Sequence, residues 1–292
     1  MLLEVSDIEQ STQFATDVFG LDLVTEDKDG ARYFRAGASH HDIILAPAQR
    51  PSLARSSWEL ESSAELEAAF GHFESRGFQP LWVSDADCAA LKLDRAFRMI
   101  DPVLSGTWEF FAGMTTIPSP RKNMLTQFQG GKHFGLFVPD CPTATDFLVK
   151  EMGFLVSDYF EGNRLSLLRA WPNPNHHSVA LIETRSSIKR MHHVAFMVNE
   201  IDDIGRLFNR AQRFDAQIQF GIGRHPTSGS IHLYIYGPDY FVWEYTLGME
   251  QFPEAGAREA RRMSSAPEDF DLWGAIPDAT HKDELPELKV AR

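Results

Sequence analysis

His133, His193 and Glu244 lie far apart in the chain, yet together they offer two neutral imidazoles and one carboxylate. Drawn from three separate strands, such a set can hold a divalent transition metal on one side and leave its remaining positions open. It is the facial donor set of mononuclear non-haem ferrous sites. The intervals, 60 residues from His133 to His193 and 51 from there to Glu244, form no compact motif. Residue types alone therefore leave open the plainer reading of each histidine as an ordinary polar or core residue. Of the eleven histidines, His133, His176, His177, His192, His193, His225 and His232 all fall between positions 133 and 232.

Glu244 sits in the stretch 221–245, GIGRHPTSGSIHLYIYGPDYFVWEY, which reads as a loop followed by a hairpin. From 231 to 236, Ile231, Leu233 and Ile235 share one face and His232, Tyr234 and Tyr236 the other. Gly237-Pro238-Asp239 is a turn signal. A turn over Pro238 to Tyr240 sets Gly237 against Phe241 and Tyr234 directly across from Glu244. One more loop residue would set Glu244 against Leu233, a poor home for a carboxylate. A carboxylate beside a phenol on an inner face calls for a reason, and a metal is one. An edge hairpin with its polar groups facing water is the other.

The elements that must position these groups follow a pattern that returns. Residues 2–5 read as a strand, Asp7 as a helix N-cap, and 8–19 as one helix ended by Gly20. Strands follow at 21–24, 31–34 and 42–46. A second round begins at Trp58, with a helix over 64–77 and strands near 79–83, 96–100 and 106–111. From Gln127 the layout repeats: a strand at 132–138, Asp140 opening a helix at 144–152, and Gly153-Phe154 matching Gly20-Leu21. VSDIEQSTQFATDVFGLDLV at 5–24 shares its layout with VPDCPTATDFLVKEMGFLVS at 138–157. A strand at 176–182, another at 191–198, a helix at 201–213 and the hairpin complete the last unit. The expected class is α+β, with two tandem domains of two βαβββ modules each, at 1–120 and 124–292, joined by Pro118-Ser119-Pro120-Arg121-Lys122-Asn123.

Composition narrows the field of functions. The chain has 292 residues, 43% hydrophobic and 12% aromatic, enough for a sizeable core. Its formal charge of −13 argues against a nucleic-acid or anionic-membrane partner. No apolar run approaches a membrane span, and no signal peptide opens the chain, so a cytoplasmic protein is expected. Cys88 and Cys141 are too few for a disulfide framework or zinc cluster. Lys282-Asp283-Glu284-Leu285 is internal and is no retention address.

GKHFGLFV, NHHSVALIET, MHHVAFMVNEIDDIG and the 221–245 stretch, taken in order, resemble the type I extradiol ring-cleavage dioxygenases of the vicinal oxygen chelate superfamily. Catechol 2,3-dioxygenases and 2,3-dihydroxybiphenyl dioxygenases are nearest in pattern, and the resemblance spans essentially the whole chain. It implies a vicinal oxygen chelate fold with His133, His193 and Glu244 as ligands of Fe(II), and Mn(II) compatible with the same donors. The ligand in MHHVAF is then His193 and not His192. It also implies that His177 stabilises reduced dioxygen and serves as general acid, while His225 and Tyr234 hydrogen-bond the substrate oxygens. The partners implied are a catechol and dioxygen, the product is of the 2-hydroxymuconic-semialdehyde type, and a homo-oligomer is expected. The competing readings are a metal-binding relative that holds a phenol without turnover and a glyoxalase-like isomerase. His192 and His232 read as solvent-facing or supporting positions. Phe270 and Trp273 in the tail read as packing on the body or on a neighbouring subunit.

The halves also test each other. Aligning Asp7 with Asp140 puts the counterpart of His133 before Met1. Aligning the helix at 64–73 with that at 201–210 sets Ser56 opposite His193, and only Glu109 survives opposite Glu244. The first half is expected to bind no metal.

Overall fold

The computed structural model describes residues 1–290 of the chain. Its first module runs β1 (Leu2–Val5), α1 (Ile8–Gln13), β2 (Asp22–Glu26), β3 (Arg32–Arg35) and β4 (Ile43–Pro47). The second holds β5 (Ser52–Glu59), α2 (Ser63–Ser75), β6 (Leu81–Trp82), α3 (Asp85–Leu91), β7 (Leu93–Ile100) and β8 (Thr107–Met114). The third comprises β9 (Phe128–Val138), α4 (Cys141–Lys150), β10 (Leu155–Phe160), β11 (Leu165–Arg169) and β12 (Val179–Glu183). The fourth comprises β13 (Arg190–Val198), α5 (Ile201–Arg213), β14 (Ile218–Arg224), β15 (Ile231–Tyr236) and β16 (Val242–Leu247). The α+β class and its tandem modules are thus present. Helix α3, capped by Ser84 accepting from the Asp87 N–H, is the one helix that periodicity did not flag.

Strand order is the same in both halves. In the first it is β2-β3-β4-β1-β5-β8-β7-β6, and in the second β10-β11-β12-β9-β13-β16-β15-β14. Each pair of modules meets where its leading strands run antiparallel, β1 with β5 and β9 with β13. The chain divides into two compact units. One takes Met1–Thr12, Leu21–Lys122 and the end of the chain from Glu287; the other takes Gln13–Gly20 and Asn123–Pro286. No helix among the described residues is long and apolar enough to cross a membrane.

The first helix is not uniform. After α1 the backbone widens into a π-helical turn over Phe14–Phe19, closed by an N–H of Gly20 on the Ala15 carbonyl at 3.0 Å, five residues back. Gly20 itself sits at φ 92°, a conformation that favours glycine. In an α-helix, Phe14 and Phe19 would point about 140° apart; the wider turn brings them to one side. Both then meet Trp243, at ring distances of 5.7 and 4.9 Å, and Phe19 also packs on Phe128, Phe196 and Tyr245. A sequence period of 3.6 cannot reveal that widening, because it is set by the aromatic partners.

Arg210 of α5 ties this aromatic layer together. Its guanidinium donates to the Val18 carbonyl at 2.8 Å, the Leu125 carbonyl at 3.2 Å, Thr126 Oγ1 at 2.9 Å and Tyr245 Oη at 3.1 Å. Arg210→Ala removes a buried donor from several acceptors at once. A loss of about 3 kcal/mol of unfolding free energy is expected in urea titration. A loss under about 1 kcal/mol would contradict this account of the layer.

The hairpin follows the shorter turn. Pro238–Tyr240 forms a tight turn with Asp239 and Tyr240 at φ 58° and 57°, the Gly237 N–H donates to the Phe241 carbonyl at 2.7 Å, and Tyr234 faces Glu244. Residues 232–236 and 242–246 are buried on both faces, which removes the reading as an edge hairpin with polar groups in water.

Candidate metal centre

Three adjacent strands build the centre. Glu244 of β16 lies beside Ala195 of β13, and Ala195 lies across from His133 of β9. The row His133, Ala195, Glu244 therefore crosses the sheet with the smallest side chain in the middle. Side-chain alternation adds His193 to the face of Ala195, two residues back along β13. Opposite His193 stands Gly135. A Cβ at Gly135 would fall 2.5 Å from His193 Cε1, so glycine makes room for the imidazole. Gly135→Ala is expected to weaken divalent metal binding about tenfold or more by displacing that ring. Metal titration reads this directly, and an unchanged affinity would rule out the role given to Gly135.

The donor atoms of His133, His193 and Glu244 lie within 4.8 Å of one another, and all three side chains are buried. Glu244 Oε2 stands 2.9 Å from His133 Nε2 and 3.4 Å from His193 Nε2. Yet both Glu244 oxygens and His193 Nε2 lack a hydrogen bond of acceptable geometry. The atoms converge without pointing at each other, as lone pairs do when aimed at a common point. Burial works to raise the Glu244 carboxyl, but the facing His133 together with His225 and His232 outweighs it and the net direction is down. Burial and neighbouring imidazoles hold His193 well below the ordinary histidine range, leaving it neutral with a lone pair to give. A buried carboxylate without a hydrogen-bond partner is costly, and a divalent cation between these three donors removes that cost. The residues therefore fit a facially bound metal ion.

Around this cluster stand the other expected residues. His177 packs its ring 4.2 Å from that of His133 and is held below the usual range by burial first and by His133 second. His225 Nε2 and Tyr234 Oη are 3.0 Å apart. The second nitrogen of His225 reaches the Phe270 carbonyl at 3.2 Å. A carbonyl only accepts, so Nδ1 carries the His225 proton, Nε2 is bare, and the Tyr234 hydroxyl donates to it. Burial and the Glu244 carboxylate push the Tyr234 phenol well above its ordinary value, so it stays a donor. Burial lowers His225 to about 3.

Further groups support the site, and of these His176, Asp158 and Asp271 escaped the sequence reading. His232, fully buried, stacks on His225 at 4.0 Å and bonds Asp271 Oδ2 at 2.9 Å, so it does not face solvent. His192 is half-buried, with Nδ1 2.6 Å from His193 Nδ1 and its ring 4.8 Å from Phe137. His176 is buried and joins Asp158 at 2.9 Å. Phe270 packs on Phe160 at 4.6 Å, while Trp273 is half exposed. The tail thus reaches the site through a backbone carbonyl and Asp271, which hydrophobicity does not flag. A signal for His176 was present: the pair His176-His177 repeats His40-His41 at the same place in the first half.

The first half holds a different chemistry at the matching place. Pairing of Ser57 with Glu109 on β5 and β8 mirrors that of Ala195 with Glu244, so the counterpart of His193 is Arg55, not Ser56. The one-residue error comes from the start of α2, read at residue 64 but found at Ser63, with Ser62 as the cap accepting from the Glu65 N–H. Arg55 Nε stands 3.1 Å from Glu109 Oε2, and Arg98 Nε donates to the same oxygen at 2.8 Å. Guanidinium groups meet this carboxylate. Among the described residues, only the second half gathers three metal-type donors.

Residues 1–82 and 131–245 match the sequence profile of the glyoxalase/bleomycin resistance protein/dioxygenase superfamily. A 1,2-dihydroxynaphthalene dioxygenase of Sphingobium xenophagum is 23% identical over 263 residues, covering 86% of this chain and 88% of its own. An iron-dependent extradiol dioxygenase of Rhodococcus jostii is 24% identical over 294 residues, covering 94% of each. The crystal structure of BphC, a halotolerant catechol dioxygenase, superposes with a TM-score of 0.88 at 24% identity, over 98% of this chain and 95% of that one.

Proposed function

Because the chain belongs to the glyoxalase/bleomycin resistance protein/dioxygenase superfamily, we propose that it is an extradiol dioxygenase that opens a catecholic ring beside its two hydroxyls. Both atoms of one dioxygen enter the product, a 2-hydroxymuconic-semialdehyde type compound, and one ring C–C bond breaks. The observation that supports this most is the convergence of buried His133, His193 and Glu244, with His177 against the His133 ring and Tyr234 against that of His193. The names of the relatives, an iron-dependent extradiol enzyme among them, favour ferrous iron in that cluster. When bound, the ion supplies open positions for the two catechol oxygens and an electron source for dioxygen.

The chain's own residues would manage the protons. Tyr234 donates to the bare Nε2 of His225, which leaves the phenol oxygen able to accept from a catechol hydroxyl. That acceptor orients the catechol hydroxyl, and the neutral phenol remains beside the substrate oxygen. His177, neutral by burial and packed against the His133 ring, is the group that gives a proton back. Phenol sequestration without turnover would have no use for this set, which is why ring cleavage is preferred. A cytoplasmic setting, with a catechol and dioxygen as partners, goes with this reading.

The test is anaerobic loading of the full chain with Fe(II), then catechol, 3-methylcatechol and 2,3-dihydroxybiphenyl in air. A yellow product from the wild type and none from His193→Ala is expected, and the relative rates rank substrate size. Tight iron binding with no colour from any of the three would instead favour a binding protein.

A further inference from the structure

Behind His177 lies a buried polar line that leads away from the metal cluster. Nδ1 of His177 is 3.1 Å from Nδ1 of His176, and Nε2 of His176 is 2.9 Å from Asp158 Oδ2. His176 and Asp158 are fully buried. Asp158 is held from outside by the tail. Arg258 donates to it at 2.8 and 3.1 Å, and Arg261 at 2.9 Å from its backbone and at 3.1 and 2.6 Å from its side chain. With two guanidinium groups on it, Asp158 is a carboxylate and can only accept.

The internal repeat supplies a comparison within one molecule. His40 and His41 reproduce the pair, with Nδ1 atoms 3.1 Å apart and rings at 86°, against 3.1 Å and 88° for His176 and His177. The strands beside both pairs are bulged at the same point. Pairing skips from Leu23 to Thr25 in the first half and from Val156 to Asp158 in the second. Thr25 therefore occupies the place of Asp158, and it is exposed, with its hydroxyl on the Glu26 carbonyl. The paired histidines belong to the repeated fold. The carboxylate with its arginines is present only in the half that gathers the metal-type donors. Upkeep of the fold does not call for it, since the first half does without.

We propose that Asp158 and His176 are positioning residues that fix the tautomer and orientation of His177. The inference rests on the reading of His177 as the proton-transfer group of ring cleavage. The ionised Asp158 accepts the proton of His176 Nε2, so Nδ1 of a neutral His176 is bare. That nitrogen accepts from His177 Nδ1–H and leaves Nε2 of His177 as the free nitrogen. Burial, the largest influence on His176, keeps it neutral. The Asp158 line thus decides which nitrogen of His177 is available to exchange a proton.

Asp158→Asn tests this at constant volume. The guanidinium donors claim its carbonyl oxygen, so its amide N–H turns toward His176 and both histidines change tautomer. The first readout is long-range proton–nitrogen NMR on the full chain with diamagnetic Zn(II). In the wild type, His177 should carry its proton on Nδ1; in Asp158→Asn, on Nε2. The second readout is kinetic. The kcat of Asp158→Asn should fall about 10- to 100-fold, with the KM for catechol and the iron content held. In a His177→Asn background the same change should alter kcat less than about twofold, because its effect acts through His177. A wild-type His177 protonated on Nε2 would overturn the inference, as would an undiminished effect of Asp158→Asn in the His177→Asn background. If Asp158→Asn fails to fold, the wild-type tautomer decides alone. A wild type that cleaves no catechol would sink the ring-cleavage reading and leave the NMR result to judge this one.

Discussion

Glu244→Ala is expected to lower ferrous-ion affinity by at least about a thousandfold and to bring ring cleavage below detection. Groups that only support a metal ligand already cost 10- to 100-fold when removed, and Glu244 is a donor and the one anionic member of the trio. The same change should act in the opposite sense on the metal-free protein. Both Glu244 oxygens are buried without a hydrogen bond of good geometry, so in the metal-free wild type the contact with His133 offsets only part of the cost of burying the carboxylate. Glu244→Ala relieves that cost, and Glu244→Gln does so at nearly constant volume. We expect metal-free Glu244→Gln to be more stable than metal-free wild type by about 1–3 kcal/mol. Iron should then raise the melting temperature of the wild type and not that of the variant. A variant that is less stable without metal would mean that Glu244 holds the fold rather than an ion.

The second large effect is expected at His177. Asparagine there keeps a polar side chain of smaller reach but cannot serve as an acid at neutral pH. The kcat of His177→Asn should fall about 10²- to 10⁴-fold, the usual span for removing a general acid. Iron binding should hold, because His177 contacts the His133 ring and lies outside the donor trio. The KM for the catechol should change by no more than about threefold. Single-turnover absorbance under saturating oxygen separates these quantities. A kcat within threefold of wild type would remove His177 from the chemistry, and a large rise in KM alone would recast it as part of the substrate wall.

How far the sequence foretold this site depends on the range of the contact. Pairing of Tyr234 with Glu244 was legible because a three-residue turn and strict alternation leave one register that spares the carboxylate an apolar neighbour. The duplication was legible because its helix starts and glycine stops recur. Arg55 was missed by one residue because the helix was read from residue 64, whereas α2 starts at Ser63 behind the Ser62 cap. Asp158, Asp271 and the Phe270 carbonyl were not legible at all. Asp158 on β10 meets His176 in the loop before β12 and Arg258 from 100 residues away, and Asp271 meets His232 across 39 residues. Neither carboxylate belongs to a periodic face, so nothing local marks it. The π-turn over Phe14–Phe19 was invisible for a related reason, since its aromatic partners lie on distant strands.

If the second-half cluster performs ring cleavage, it uses one dioxygen to open one ring. An oxygen electrode and a spectrophotometer, run together on the iron-loaded full chain with 3-methylcatechol, test it most directly. One mole of oxygen consumed per mole of yellow product is expected, with both signals lost in Glu244→Ala. Stoichiometric iron in the wild type, with the catechol bound and no oxygen uptake, would contradict it.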